Sequence, residues 1–305
     1  MTIRPRPLLL TGWLCGLLLA GCGTTSPSPT ASPTPTGADF TRPGAAAAMV
    51  QQLLADAGSH RALTVEVTGT TVEVTVLNSA EQPVAWAYRD GTIGQVTTDQ
   101  QYVDQATFDV ARFNLSDVGG LFRAAEGQSG SSSNQSLTIV DYSGGEVMMS
   151  VSTVPESRTV FFNEDGSILQ TLNFDTTGGV EAGIKDALGS RLTVYSISVD
   201  SSQGVSVDYP GATGTTVRRT RTSKVPVTTN VAVPKVDLPV FLATKVDPAR
   251  IIEVVDRVRA SAGLPDDVGW SVVIDDRRNL GAPRMYFSIG TKVLVTDVDG
   301  NEVIG

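Results

Sequence analysis

The chain has 305 residues, of which 41 % are hydrophobic and 18 % are charged. This length allows one large or two ordinary domains, and the composition excludes a chain that is disordered throughout. The formal net charge of the whole chain is −9. If a leader that contains Arg4 and Arg6 is cleaved, 21 of the 23 basic residues remain against 32 acidic ones, which gives a net charge of −11. A field of that sign argues against nucleic acid as a partner. We interpret the acidity mainly as a source of solubility, with a basic protein or cationic ligand as the alternative.

Residues 1–21 have the organisation of a bacterial export signal. Arg4 and Arg6 precede an apolar run from Leu8 to Ala20, which is shorter than the roughly 20 residues of a membrane-spanning helix. The run ends in Leu-Ala-Gly-Cys at positions 19–22, which resembles the bacterial lipobox at all four positions. The resemblance implies cleavage before Cys22, a diacylglycerol on the Cys22 thiol, and an anchor on the extracytoplasmic face of the cell membrane.

Residues 22–41 consist almost entirely of Gly, Thr, Ser, Pro and Ala, which predicts an extended linker without core residues. The chain has two cysteines, Cys15 and Cys22, and only Cys22 remains after the predicted cleavage. The mature chain therefore has no internal disulfide, although its compartment would permit one.

From about residue 42 onward, the order of one helix and then three strands occurs four times. Four segments carry apolar residues at helical spacing: Met49, Val50, Leu53, Leu54 and Ala57; Val118, Leu121, Phe122 and Ala125; Val180, Ile184 and Leu188; and Ile251, Val254, Val255, Val258 and Ala262. Ser116 and Asp247 are predicted to cap the second and fourth helices, Pro248 suits a first helical position, and Gly189 is the predicted end of the third.

Segments with alternating apolar residues follow each helix and predict strands: 63–67, 72–76 and 84–88; 137–140, 146–151 and 158–163; 192–199, 204–209 and 215–222; and 270–275, 284–289 and 292–297. Asp-Gly turns at 90–91, 165–166 and 299–300 follow the last strand in three copies, whereas 225–244 is predicted to be a long connection or an edge strand. We predict an α+β fold of about four αβββ units that form two domains, 42–172 and 173–305.

This layout resembles two families. One is the PepSY type of small α+β envelope modules, whose last strand often ends in an acidic turn like residues 296–303 here. The other is the secreted β-lactamase-inhibitor type, which is built of tandem helix-plus-sheet repeats. Both families are mostly binding or inhibitory modules, so the resemblance implies a binding role without assigning any individual residue.

Candidate catalytic and metal-binding residues are few. His60 is the only histidine, which excludes a zinc site built on His and Cys, and its place after a predicted helix favours an interaction with the helix end over catalysis. Motifs of serine hydrolases, penicillin-binding proteins and nucleotide-binding proteins are absent from the folded part. Residues 297–301 read Asp-Val-Asp-Gly-Asn, which resembles part of a calcium loop but suits a turn better.

Two charged groups leave alternatives open. Four aspartates, Asp266, Asp267, Asp275 and Asp276, could supply paired carboxylates for glycoside hydrolysis, although Asp is ordinary in loops. The basic cluster of Arg218, Arg219, Arg221 and Lys224 indicates either protection of a sheet edge or a docking patch for an acidic partner.

We therefore expect a lipoprotein that acts as a non-enzymatic module, binds an envelope protein or a small ligand, and needs no cofactor or metal. Its membrane partner is the bilayer that holds the lipid on Cys22, and it can regulate an envelope sensor or enzyme. The alternative is a carrier that encloses a hydrophobic molecule between its helices and sheets. The sequence predicts neither the ligand nor the oligomeric state.

Overall fold

The computed structural model describes residues 37–98, 105–232 and 236–303. The predicted signal segment, Cys22 and most of the predicted linker lie outside the described residues. Residues from Gly37 onward belong to one compact unit. Four helices and two seven-stranded antiparallel sheets make up an α+β fold with two sheet-based domains, which confirms the predicted fold class.

The helices form where the spacing of apolar residues predicts them: α1 (Ala45–Asp56), α2 (Val118–Ser129), α3 (Thr177–Leu188) and α4 (Pro248–Ala262). The carboxylate of Asp247 caps α4 by accepting a hydrogen bond from the Ala249 N–H at 2.9 Å. Gly189 ends α3 with a φ of 57°, a conformation that glycine adopts without steric cost. Both predicted helix ends are therefore confirmed.

The predicted Ser116 cap of α2 is wrong by one residue. The Asp117 carboxylate accepts the Gly120 N–H at 2.8 Å, whereas the Ser116 hydroxyl donates to the side-chain oxygen of Asn114. Asp117 thus satisfies the unpaired N–H groups at the start of this helix.

The first domain contains nine strands: β1 (Arg61–Ala62), β2 (Thr64–Val67), β3 (Val72–Leu77), β4 (Pro83–Arg89), β5 (Thr92–Val96), β6 (Phe108–Asp109), β7 (Ser136–Ser143), β8 (Glu146–Ser152) and β9 (Thr159–Phe162). The order in the seven-stranded sheet is β5-β4-β3-β2-β7-β8-β9, and β1 pairs separately with β6. The helices α1 and α2 pack on the sheet.

The second domain repeats this arrangement with β10 (Thr193–Val194), β11 (Ser196–Asp200), β12 (Gly204–Pro210), β13 (Thr216–Arg221), β14 (Thr228–Ala232), β15 (Phe241–Leu242), β16 (Trp270–Asp275), β17 (Arg284–Ile289) and β18 (Lys292–Thr296). The sheet order is β14-β13-β12-β11-β16-β17-β18, and β10 pairs with β15. The first and third units have four strands in the large sheets, one more than the three of the predicted unit, because β5 and β14 extend them. Strand β14 lies within 225–244 at the edge of its sheet, which confirms the edge-strand alternative for that segment.

The first strands of two successive units meet at the centre of each sheet. In the first domain Val65 lies opposite Ile139, and in the second Ile197 lies opposite Ile274. All four side chains are fully buried. Because the two domains match element for element, corresponding elements can be compared directly.

Apolar side chains fill the space between helices and sheet in both domains. Phe40, which the sequence places in the linker, is 3 % exposed and packs into the first core. Phe174 precedes α3 as Phe40 precedes α1, and it is equally buried. The folded part therefore begins before residue 42.

Candidate functional site

A cleft of about 470 Å³ lies on the first domain, between α1 and the residues that precede α2. We call it the α1 cleft. Its floor consists of four buried side chains, those of Val50, Val110, Phe113 and Leu115. Its rim carries exposed polar side chains: Gln51, Arg112, Asn114, Ser116, Glu164 and Asp165. An apolar floor with a few polar groups around it is the usual form of a binding site.

A local insertion produces this cleft. In the first domain, residues 113–117 separate a 3₁₀ turn (Val110–Arg112) from α2, whereas only residues 246–247 separate the corresponding turn (Ala243–Lys245) from α4. The three additional residues, 114–116, all line the cleft. The second domain thus shows the same fold without this feature.

Hydrogen bonds fix the insertion to the turn after β9. The Asn114 N–H donates to the Glu164 carbonyl at 2.8 Å, and the Asn114 side-chain amide donates to the Asp165 carbonyl at 3.0 Å. The Ser116 carbonyl accepts the Gly44 N–H at 2.7 Å, which ties the insertion to the start of α1. The walls of the cleft are therefore held in place without a ligand, which lowers the entropic cost of binding.

An ion pair lies at the rim. The Arg112 guanidinium contacts the Glu164 carboxylate, and these side chains are 53 % and 46 % exposed. The same guanidinium lies 5.9 Å from the centre of the Phe113 ring, within the range of a cation–π contact. An exposed pair of this kind contributes little to stability, so both side chains can contact a bound molecule at low energetic cost.

Asp165 is the second acidic group of the rim. Its carboxylate accepts the Ser167 hydroxyl at 2.7 Å and the Ser167 N–H at 2.9 Å. These two bonds lower the pKa of Asp165 below its ordinary value because they favour the charged form. The carboxylate is therefore ionised at neutral pH.

A smaller cleft of about 190 Å³ adjoins the first one and is called the α2 cleft here. It shares Asn114 and Asp165 with the α1 cleft, so the two clefts adjoin at these residues. Its other lining residues are Asp117, Gly120, Leu121, Ala124 and Gly166. We call the two clefts together the groove.

The turn of the second domain that corresponds to 163–167 is built differently. Val298 takes the place of Glu164, and Arg257 on α4 donates to the Gly300 carbonyl at 2.7 Å. Gly300 also approaches Val254 so closely that an added Cβ would lie 3.1 Å from that side chain. Helix α4 therefore contacts the turn directly, where the first domain has its groove.

The predicted catalytic and metal-binding candidates lie elsewhere and have structural partners. His60 is exposed between α1 and β1, and the neighbouring Ser59 hydroxyl donates to the Arg61 carbonyl at 2.8 Å. The Asp297 carboxylate accepts the Asn301 side-chain amide at 3.0 Å and the backbone N–H groups of Asn301 and Asp299 at 2.9 and 3.0 Å, and these bonds lower its pKa. Residues 297–301 thus form the turn that the sequence favours over a calcium loop.

The four candidate glycosidase aspartates lie at the two ends of β16. Asp275 is buried and accepts both the Nε and the Nη2 of Arg277, at 2.8 and 2.6 Å. Asp276 is also buried and accepts the Leu280 and Gly281 N–H groups at 2.8 and 2.9 Å. Asp266 and Asp267 are exposed in the connection between α4 and β16.

The basic cluster does not lie on a sheet edge, so the interpretation as edge protection is wrong, and its four residues do not form one surface patch. Strand β13, which carries three of its four residues, lies between β12 and β14. Arg218 binds the Asp208 carboxylate through two hydrogen bonds of 2.7 Å. Arg219 and Arg221 are 5 % and 1 % exposed and face the opposite side of the sheet. Arg218 and Lys224 are the exposed members of the cluster, and the Arg218 side chain is 55 % exposed.

The two buried arginines join the domains. Arg219 donates to the Ala187 carbonyl at the end of α3 and forms an ion pair with Glu146 on β8. Arg221 donates to the Asp186 carboxylate at 3.0 Å and to the carbonyl of Gln170, between the domains, at 2.7 Å. A cation at a helix C-terminus is favourable, which accounts for their inward position.

Sequence reasoning missed Arg112, Asn114 and Glu164, because none of them belongs to a known motif. The signal that could have revealed them is a difference in length between corresponding segments of the two domains. Phe108 and Phe241 begin corresponding segments, yet the capping aspartates, Asp117 and Asp247, lie at different distances from them.

The chain matches no model of a known protein family and no curated protein sequence. Among the described residues, no group of three or more His, Cys, Asp or Glu side chains could hold a metal ion. No helix in the described part of the chain is long and apolar enough to cross a membrane.

Proposed function

We propose that this chain is a membrane-anchored lipoprotein of the extracytoplasmic face, and that it works as a non-enzymatic module that binds a protein or ligand in the groove. The observation that carries the proposal is the difference between the two domains. They share every major element, and the first has acquired an insertion that creates an apolar floor with a charged rim. Structural stability does not require it, because the second domain packs without it.

The composition of the interior favours binding at the surface over enclosure of a hydrophobic molecule. Buried side chains from the helices and the sheet contact each other throughout both cores. The groove is lined at its rim by charged and amide groups, which suit a ligand that is itself partly polar.

The anchor is supported by the sequence alone, through the Leu-Ala-Gly-Cys at 19–22. We expect the Cys22→Ser variant to leave the membrane fraction or to remain unprocessed, as measured by fractionation and by intact mass. Alanine at Cys15, the other cysteine of the leader, is the control and should leave anchoring unchanged. Normal anchoring of Cys22→Ser would contradict the lipoprotein assignment and would leave the groove untouched.

The groove is tested by site-specific cross-linking in intact cells. A photoreactive residue at Gln51, on the rim of the α1 cleft, should yield a discrete set of adducts. The matched control is Lys185, an exposed residue at the corresponding place on α3, and it should not yield them. The same adducts from both positions would contradict a site in the groove.

A second variant distinguishes a true site from proximity. Gln51→Trp places a large side chain at the mouth of the α1 cleft and leaves the buried face of α1 unchanged. We expect it to abolish cross-linking from a photoreactive residue at Ala111, which also lines the cleft. Lys185→Trp should have no effect, and equal yields from both variants would overturn the proposal.

A further inference from the structure

We infer that the occupant of the groove is a basic, amphipathic polypeptide segment of another envelope protein. This inference rests on the proposed binding function and specifies its partner. Three features carry it: the adjacency of the two clefts, their apolar floor, and the charges along their rim.

The first feature is shape. The α1 cleft and the α2 cleft meet at Asn114 and Asp165, so the groove passes from one helix to the other. Together the clefts have a volume of about 660 Å³, which is the combination of about 470 and about 190 Å³. A site that extends across two helices suits an extended chain segment better than a compact small molecule.

The second feature is the apolar surface within each cleft. Val50, Phe113 and Leu115 lie in the α1 cleft, and Leu121 and Ala124 lie in the α2 cleft. Asn114 and Asp165 separate these two apolar surfaces. This arrangement matches a segment in which apolar side chains alternate with polar ones. Val50, Phe113, Leu115 and Leu121 are at most 6 % exposed, so a bound segment gains from them mainly through close packing.

The third feature is charge. The lining residues include one base, Arg112, and three acids, Asp117, Glu164 and Asp165, so the groove has a net charge of −2. Glu164 is paired with Arg112, and Asp117 lies 3.6 Å from the guanidinium of Arg123, which is outside the lining. Asp165 has no cationic partner among the described residues, and its bonds come from Ser167 and from no charged group. It lies where the two clefts meet, so a Lys or Arg of the occupant would find an unneutralised carboxylate at the centre of the groove.

The charge of the whole chain acts in the same direction. The mature chain carries about eleven more acidic than basic residues, a long-range field that accelerates the approach of a cationic segment. The same negative field disfavours binding of acidic peptides and of anionic lipid in the groove. The inference therefore excludes a membrane surface as the occupant of the groove.

The test uses the full lipidated chain in neutral detergent and three synthetic eight-residue peptides, measured by fluorescence anisotropy. The peptides alternate Leu with Lys, Leu with Glu, and Ser with Lys. We expect the Leu-Lys peptide to bind at least tenfold more tightly than either of the others, with an affinity that falls as salt rises. Equal affinities for the Leu-Lys and Leu-Glu peptides would show that the groove does not select a basic segment. Equal affinities for the Leu-Lys and Ser-Lys peptides would show that the apolar floor does not contribute to binding.

Matched variants locate the binding. Asp165→Asn keeps an oxygen that can accept the Ser167 bonds and removes the charge, and it should weaken Leu-Lys binding about tenfold. Asp299→Asn is the same change in the corresponding turn of the second domain and should leave the affinity unchanged. Equal effects of the two variants would show that the peptide senses only net charge. If Gln51→Trp blocks the cross-links at Ala111 but the three peptides bind with equal affinity, the proposed binding function is supported and the inferred basic, amphipathic partner is wrong.

Discussion

The Arg219 guanidinium on β13 of the second sheet forms an ion pair with the Glu146 carboxylate on β8 of the first. Arg219 is buried, whereas Glu146 is partly exposed. A second contact joins the end of β7 to β14, where the Ser143 hydroxyl accepts the Thr229 N–H at 2.7 Å. The edge of the second sheet, at β13 and β14, is thereby attached to the β7–β8 hairpin of the first sheet.

Replacing Glu146 by Gln should lower the free energy of unfolding by about 1–3 kcal/mol, because the buried Arg219 loses its charged partner. Urea denaturation followed by circular dichroism measures the change. Glu156→Gln is the control, since Glu156 is exposed. Equal stability of the two variants would mean that the ion pair contributes nothing to the junction.

Arg221→Ala should be more costly, at about 3–5 kcal/mol, because it leaves the partners of a fully buried guanidinium unsatisfied. These partners include the Asp186 carboxylate and the Gln170 and Val225 carbonyls. Lys224→Ala removes an exposed cation from the same cluster and should change stability by no more than about 0.5 kcal/mol. Thermal and urea unfolding of both variants provide the comparison, and a mild effect of Arg221→Ala would show that water replaces its bonds.

Glu66→Gln should stabilise the protein at neutral pH. Partial desolvation of its carboxyl raises the pKa of Glu66 above its ordinary value of 4.5, although the residue keeps solvent contact. The Glu73 carboxylate on the neighbouring strand raises it further, and the Arg89 guanidinium lowers it in part. Folding therefore favours the protonated form, so ionisation of Glu66 destabilises the folded state above the raised pKa, and this penalty disappears below pH 4.5.

The gain from Glu66→Gln should accordingly be largest near pH 7 and should vanish as the pH falls below the ordinary carboxyl pKa. Urea midpoints across that pH range measure it. The exposed Glu126 on α2 supplies the control variant Glu126→Gln. A gain that does not depend on pH would assign the effect of Glu66→Gln to packing.

Asp117→Ala should cost about 1 kcal/mol, because α2 loses the carboxylate that accepts the Gly120 N–H. Asp117→Asn retains an accepting oxygen and should stay close to the original stability. Thermal denaturation of the two variants separates the cap from the charge. If both variants lost the same stability, charge and not the hydrogen bond would stabilise this helix end.

The sequence predicts local features of the fold well, because spacing and caps depend on neighbouring residues. Val180, Ile184 and Gly189 fall on α3 and its end as expected, and Asp247 caps α4 as expected. Ser116 fails as a cap because an adjacent Asp competes for the same position, and the side-chain oxygen of Asn114 accepts the Ser116 hydroxyl.

Contacts between distant residues could not be predicted in this way. The alternation on β13 places Val217, Arg219 and Arg221 on one face, and a pattern-based prediction directs arginines to solvent. Their burial depends on the carbonyls at the end of α3, which are brought there by the tertiary fold. The groove has the same origin, since Asn114 and Glu164 meet only once β9 lies beside α2.

The central pairing of β2 with β7, and of β11 with β16, determines how far the chain can be divided. Cutting between the units of one domain would separate Val65 from Ile139 and expose an unpaired apolar strand edge, which is a template for aggregation. A cut near residue 172 leaves both sheets intact. The smallest piece with a complete sheet is therefore half of the folded chain. Each sheet is complete only after strands some seventy residues apart have paired, and we expect this to make folding slow for a protein of this size.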